Sequence, residues 1–282
     1  MSSPFPQYIK LYPEALKLVN DCLGNSKLPI LEEIALRFCY AIENKSLDLK
    51  SGNERAFLSD LLTKTTSEMF AMIGVMRNGA LIPAYHHTRS VLELYSALEH
   101  IYCVPPKRER KLEKYVEFKS VAKYLHYCER KRLFDTGQIS SQDFSESCPI
   151  SQEEFNELQK CIPDWNRIWK LDQKDPVVIQ HWHYPAAIQG LFESSDITKM
   201  CWPIYENICH ATHLSPLGLG LSAGNLLIGF PKNENGYDYK KINYPIIYSI
   251  LTAQFIADFL QNTVKAGTIE GVLSYSIDDL RR

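Results

Sequence analysis

Apolar residues recur along nearly the whole chain at three- and four-residue spacing, and few runs alternate with the period of two that a half-buried strand needs. Leu31, Ile34, Ala35, Phe38 and Ile42 form one face over 28–48. Leu58, Leu61, Leu62, Met69, Phe70 and Ile73 form the inner side of a segment over 54–76. Further helical patterns cover 8–22, 84–103, 107–132, 151–161, 197–213 and 244–266. The one hairpin candidate, Gly229 to Tyr239 around Asn235-Gly236, has charged flanks that suit a strand poorly. The pattern predicts an all-α fold, an irregular bundle of about eight helices in a single domain.

Punctuation divides these helices. Gly24-Asn25-Ser26 and Ser51-Gly52-Asn53 break the chain, Asn78-Gly79 is a helix stop, and Pro83 suits the first turn of the next helix. Pro105-Pro106 ends that helix, since a residue before proline is pushed out of the helical region. Residues 136–150 are Ser-rich and read as a surface loop, and Pro163-Asp164 reads as a turn toward Trp165 and Trp169. Residues 214–242 form a second irregular stretch. The expected organisation is an N-terminal helical pair over 1–52, a main helical domain over 53–270 and a C-terminal tail over 271–282.

Composition narrows the function classes. Over 282 residues, 45% are apolar and 23% charged, enough to bury a sizeable core. A net charge of −2 gives no global electrostatic case for nucleic acid or an anionic membrane. The eight cysteines form no CxxC pair and no zinc spacing, so they read as small buried hydrophobes in a reducing cytosol. MSSPFPQYIK lacks the layout of a secretory signal, and Tyr244–Leu260, interrupted by Pro245, Gln254 and Asp258, reads as a buried helix and not a membrane span. These features predict a soluble, cytoplasmic chain with no membrane partner, no metal and no cofactor.

Three constellations stand out. On the 84–103 helix, His86, Arg89, Glu93, Ser96 and His100 fall in one narrow sector, with Val91, Leu94, Ala97, Leu98 and Ile101 opposite. Such a stripe reads as the polar wall of a pocket; equally, an i,i+4 Arg89–Glu93 pair can simply hold helices in register. On the 197–213 helix, Tyr205, Cys209 and His213 share a face, with Asn207 and His210 beside them, and His213 at the helix end is stabilised when protonated. Between them, His181-Trp182-His183-Tyr184 can line a ring-stacking pocket or fill a core. The 107–132 helix carries ten Lys/Arg against four Glu, a local basic surplus.

The order of these pieces resembles a family of bacterial all-helical proteins known only as a domain of unknown function. The pieces are TRSVLE, a basic helix, HWHY and then YENICHATHLS, and the likeness covers roughly residues 55–265. It makes Arg89, Glu93, Trp182, Tyr205 and His213 signature positions and implies no reaction. A looser similarity is to HEPN-type helical ribonucleases, common among toxins and phage-defence effectors. Asn207 and His213 match that motif's polar residue and histidine, while Glu206 stands in place of its arginine, a charge Arg89 would supply.

Two readings follow. In the first, the chain is a metal-independent ribonuclease or related toxin or phage-defence effector. His213 is the base toward a 2′-hydroxyl, Arg89 stabilises phosphate charge, Glu93 orients Arg89, and helix 107–132 holds RNA. His86, His100, Trp182, His183, Tyr205, Asn207 and His210 line the binding surface. In the second, the chain is a non-catalytic helical module that senses a small polar ligand or binds a protein partner. A homodimer is compatible with either.

Overall fold

The computed structural model of the chain describes residues 5–49, 52–148, 150–171, 179, 181–183, 186–212, 232–233, 236–275 and 280. The fold is all-α. Eleven α-helices run through the described residues: α1 (Phe5–Gly24), α2 (Leu28–Glu43), α3 (Asn53–Arg77), α4 (Leu81–Tyr102), α5 (Arg108–Asp135), α6 (Ser141–Ser147), α7 (Gln152–Lys160), α8 (Ile162–Trp169), α9 (Ile188–Phe192), α10 (Asp196–Thr212) and α11 (Tyr239–Phe259). Among the described residues, no helix is long and apolar enough to cross a membrane.

The count exceeds eight because stretches read as connections carry helix signals of their own. The expected loop at 136–150 contains α6. Its start is a full capping box: the Ser140 hydroxyl accepts from the Asp143 amide at 3.1 Å, and Asp143 accepts from the Ser140 amide at 3.1 Å. The expected turn at Pro163-Asp164 is instead the first turn of α8, where a proline's missing N–H leaves no helical bond unmade. In the Gly229–Tyr239 region, β1 (Lys232–Asn233) pairs antiparallel with β2 (Gly236–Tyr237) for two residues each, and α11 begins at Tyr239, earlier than 244. The Asn78-Gly79 stop is as expected: Gly79 takes φ +75°, and the Gly79 and Ala80 amides donate to Met76 and Val75 carbonyls at 2.8 and 2.9 Å.

Residue contacts group into two compact units, Met1–Lys50 with Leu58–His100 and Leu191–Arg282, and Ser51–Phe57 with Ile101–Gly190. In the first, α2 buries Leu31, Ile34, Ala35 and Phe38 completely, and α11 does the same with Ile242, Ile246, Ile250, Ala253 and Ile256. Pro245 lies inside α11 and cannot donate to the Lys241 carbonyl four residues back. The Tyr85 hydroxyl of α4 donates to that carbonyl at 3.3 Å, and Thr88 Oγ1 donates to the Pro245 carbonyl at 3.1 Å. The proline's cost to α11 thereby becomes a contact between α11 and α4.

In the second unit, α5 packs against α6, α7 and α8 around Val121, Tyr124, Tyr127, Phe155, Trp165, Ile168 and Trp169. The rings interlock: Tyr124 and Phe155 stack at 5.2 Å, Tyr127 and Phe155 at 4.2 Å, and Trp165 meets Tyr124 edge-on at 5.7 Å. Aromatic pairs in these offset and edge geometries add stability beyond the area they bury.

Candidate functional site

The predicted i,i+4 pair on α4 forms, and α10 brings a third member to it. Arg89 Nε donates to Glu93 Oε1 at 3.0 Å and to the Tyr205 hydroxyl at 3.1 Å. The Tyr205 hydroxyl in turn donates to the same Glu93 oxygen at 2.7 Å. The guanidinium lies over the Tyr205 ring, 5.3 Å from its centroid, a cation–π placement.

Local sequence explains this arrangement. Arg89 and Glu93 are one turn apart on α4, whose other sides bury Val91, Leu92, Tyr95 and Leu98. Tyr205 is 4% exposed and held in place by aromatic neighbours: Phe192 at 4.8 Å and Trp202, nearly parallel, at 5.5 Å. Phe192 and Trp202 were not among the expected site residues. Trp202 lies three residues before Tyr205, a helical neighbour spacing that marks it in retrospect.

The electrostatics follow from partial burial. Burial works against the Arg89 charge, but Glu93 and Tyr205 outweigh it and hold the guanidinium above its ordinary value. Burial and the bond to Glu93 push the Tyr205 hydroxyl well above the usual phenol range. Burial also lifts the Cys209 thiol, against the opposing pull of Arg89. At neutral pH both groups are therefore neutral hydrogen-bonding groups, and neither is an anionic nucleophile.

The remaining expected residues distribute as follows. Ser96 turns back onto its own helix, donating to the Leu92 carbonyl at 2.9 Å. His100 Nδ1 lies 3.1 Å from the Ser194 hydroxyl, and His86 is exposed. Asn207 and His210 are on the exposed side of α10. His213 lies outside the described residues. A histidine outside the expected set, His87, pairs its Nδ1 with Glu68 Oε2 at 2.7 Å, linking α4 to α3.

Trp182 and His183 belong to the second unit, where they form a cluster of their own. The His181 and His183 rings stack at 3.8 Å, and Trp182 meets Tyr115 edge-on at 5.6 Å. Burial, the neighbouring His181 and Lys114 pull His183 down to about 4, while the Ala186 carbonyl 2.8 Å from its Nδ1 works the other way. Burial, with Arg110, Lys111 and Lys170, likewise pulls Lys114, 5.8 Å from the Trp169 ring, down to about 8.

Much of the basic surplus on α5 is already engaged. Lys123 pairs with Glu154 at 2.7 Å, Lys131 with Asp135 at 2.9 Å, Arg132 with Glu129 at 2.8 Å and Arg108 with Glu54 at 3.8 Å. Arg110 donates to the Ile168 carbonyl at 2.6 and 2.9 Å. Among the described residues, no three His, Cys, Asp or Glu side chains gather as metal ligands.

The model of the family of unknown function DUF5677 matches residues 55–225, a span that includes Arg89, Glu93, Trp182 and Tyr205. No curated protein and no solved structure matches the chain.

Proposed function

The chain belongs to the DUF5677 family, which carries no assigned reaction, and we propose that its Arg89–Glu93–Tyr205 cluster is a non-catalytic recognition site for a small anionic ligand, a carboxylate or a phosphate. Arg89 supports this most directly. Its Nε–H is divided between Glu93 and Tyr205, while its two terminal nitrogens have no hydrogen-bond partner among the described residues, and the side chain keeps 30% exposure. A guanidinium so held presents a fork that matches the two oxygens of a carboxylate or phosphate. Glu93 compensates the charge while the site is empty, and the Phe192–Trp202–Tyr205 wall fixes the ring beneath it. The described groups beside Arg89, Tyr205 and Cys209, keep their protons at neutral pH, which suits binding better than proton transfer. The eight cysteines form no disulfide, which fits a reducing compartment such as the cytosol, although only Cys22 and Cys201 show the burial that the sequence predicts for all of them.

A second reading, the metal-independent ribonuclease, is favoured by one feature. Tyr205 and Cys209 lie on the Arg89 side of α10, and the next residue in that sequence register is His213. In this reading His213 takes the 2′-hydroxyl proton and Arg89 steadies the phosphate.

One paired experiment separates the two. The protein and its Arg89→Ala, Arg89→Lys and His213→Ala variants are titrated with a panel of dicarboxylates and nucleoside phosphates, following thermal stability, and are incubated with total RNA. Recognition predicts a ligand-dependent rise in melting temperature that disappears in Arg89→Ala, weakens at least tenfold in Arg89→Lys and survives in His213→Ala. RNA cleavage that disappears in both Arg89→Ala and His213→Ala would replace it with the ribonuclease reading.

A further inference from the structure

α2 uses only one face for the core. Its outer stripe, Glu33, Leu36, Tyr40 and Glu43, recurs at helical spacing, and Leu36 and Tyr40 are 59% and 66% exposed. Beside that stripe runs the segment Thr268–Glu270. Arg37 Nη1 donates to the Glu270 carbonyl at 3.0 Å, and the Tyr275 hydroxyl donates to Glu33, so the segment is tied to α2. Gly271 makes the approach possible: it takes φ +74°, and a Cβ there would overlap the Arg37 guanidinium. Between helix and segment lies an open groove of about 950 Å³, lined by Leu36, Cys39 and Tyr40 on one side and by Thr268 and Glu270 on the other.

We propose that this groove docks a cationic segment of a partner protein, one with a bulky apolar anchor flanked by Lys or Arg. Charge selects the occupant. Glu33, Glu43 and Glu270 line the groove with one cation, Arg37, whose Nε is bound by Glu33 at 3.1 Å. The lining is therefore net negative, which repels nucleic acid and oxyanions and attracts Lys and Arg. The exposed Leu36 and Tyr40 side chains call for an apolar partner, and a tyrosine in such a place is a common source of binding energy. A volume near the top of the range for ligand clefts (about 300–1,000 Å³), open to solvent, fits side chains from a peptide segment better than an enclosed metabolite. This surface is separate from the Arg89 cluster and requires nothing of it.

The test pans a random dodecapeptide library on the full chain and on a Leu36→Glu/Tyr40→Glu double variant. The expected pool is enriched on the parent, at least tenfold depleted on the variant, and carries a surplus of Lys and Arg beside Leu, Ile, Phe or Trp. A synthetic peptide of the leading sequence should then bind at least tenfold more weakly to Tyr40→Ala and to Glu43→Lys, and more weakly as salt is raised. Thermal melts within a few degrees of the parent confirm that these exposed-site variants fold, and Glu43→Lys alone serves if the double variant does not. A neutral or acidic pool, or enrichment indifferent to the groove, overturns the proposal. Sedimentation of the parent as a dimer that Leu36→Glu converts to a monomer also overturns it, by assigning the groove to a second copy of the chain.

Discussion

The Tyr205 hydroxyl donates to Glu93 Oε1 at 2.7 Å across 112 residues of sequence, and this bond fastens α10 to α4. Removing the hydroxyl alone, as Tyr205→Phe, keeps the ring between Phe192 and Trp202 but leaves Arg89 and Glu93 one partner short. The expected loss is about 1–2 kcal/mol of stability, read as a lower urea midpoint with an unchanged slope. If the cluster recognises an anion, ligand affinity should fall in the same variant, since the guanidinium loses one of its two anchors.

Acid should weaken the second unit through His183. Its folded value is pulled to about 4, below the ordinary 6.5, chiefly by burial and then by His181 and Lys114. Between those two pH values the unfolded chain takes up a proton that the folded one refuses, so stability falls as pH is lowered from about 6.5 to about 4. His181 is shifted in the same direction and adds to the effect. Melting temperature measured across that window should decline, and His183→Asn should flatten the decline.

Tyr85 and Pro245 should prove coupled. In the parent, Tyr85→Phe leaves the Lys241 carbonyl without the donor that replaces the missing proline N–H, at a cost of about 1–3 kcal/mol. In a Pro245→Ala background the alanine amide can donate to that carbonyl, so the same change should cost less. A double-mutant cycle by chemical denaturation should therefore give a coupling energy of about 1 kcal/mol, whereas strictly additive effects would contradict the assigned contact.

Trp165 is fully buried at the centre of the α5–α8 aromatic cluster, and its indole N–H donates to Glu117 Oε2 at 3.3 Å. Trp165→Ala should cost about 3–5 kcal/mol. Hydrogen exchange should show the loss of protection concentrated in α5, α7 and α8.

The all-α class was legible because helical spacing survives wherever one face of a helix is buried, as in α2 and α3. It was harder to read in α5. There Leu112, Val121, Tyr124 and Tyr127 are buried, while Tyr115, Phe118, Ala122 and Leu125, apolar residues at equally helical spacing, are only half-buried. Charged residues on every side of that helix blur its apolar stripe, and long cationic side chains cover surface while their heads stay wet. The Arg89–Glu93 contact was readable because it is one turn long. Tyr205's place in it was not, since a hydrogen bond across 112 residues depends on how α4 and α10 pack, and no local spacing encodes that. The Phe192–Trp202 wall was missed for the same reason: aromatic residues look alike in sequence whether they fill a core or brace a polar cluster.

The division of the chain into units also sets an order of events during synthesis. The first unit draws on three separate stretches, and residues 101–190 lie between the second and third. On a ribosome, the entire second unit is therefore made before α10 and α11 exist. Tyr85, Thr88, Arg89 and Glu93 on α4 must wait for partners encoded more than a hundred residues later. A nascent chain halted near residue 190 would hold a complete second unit beside an unfinished first one. That makes the inserted unit the natural first foldon, and α4 the surface most in need of protection until translation ends.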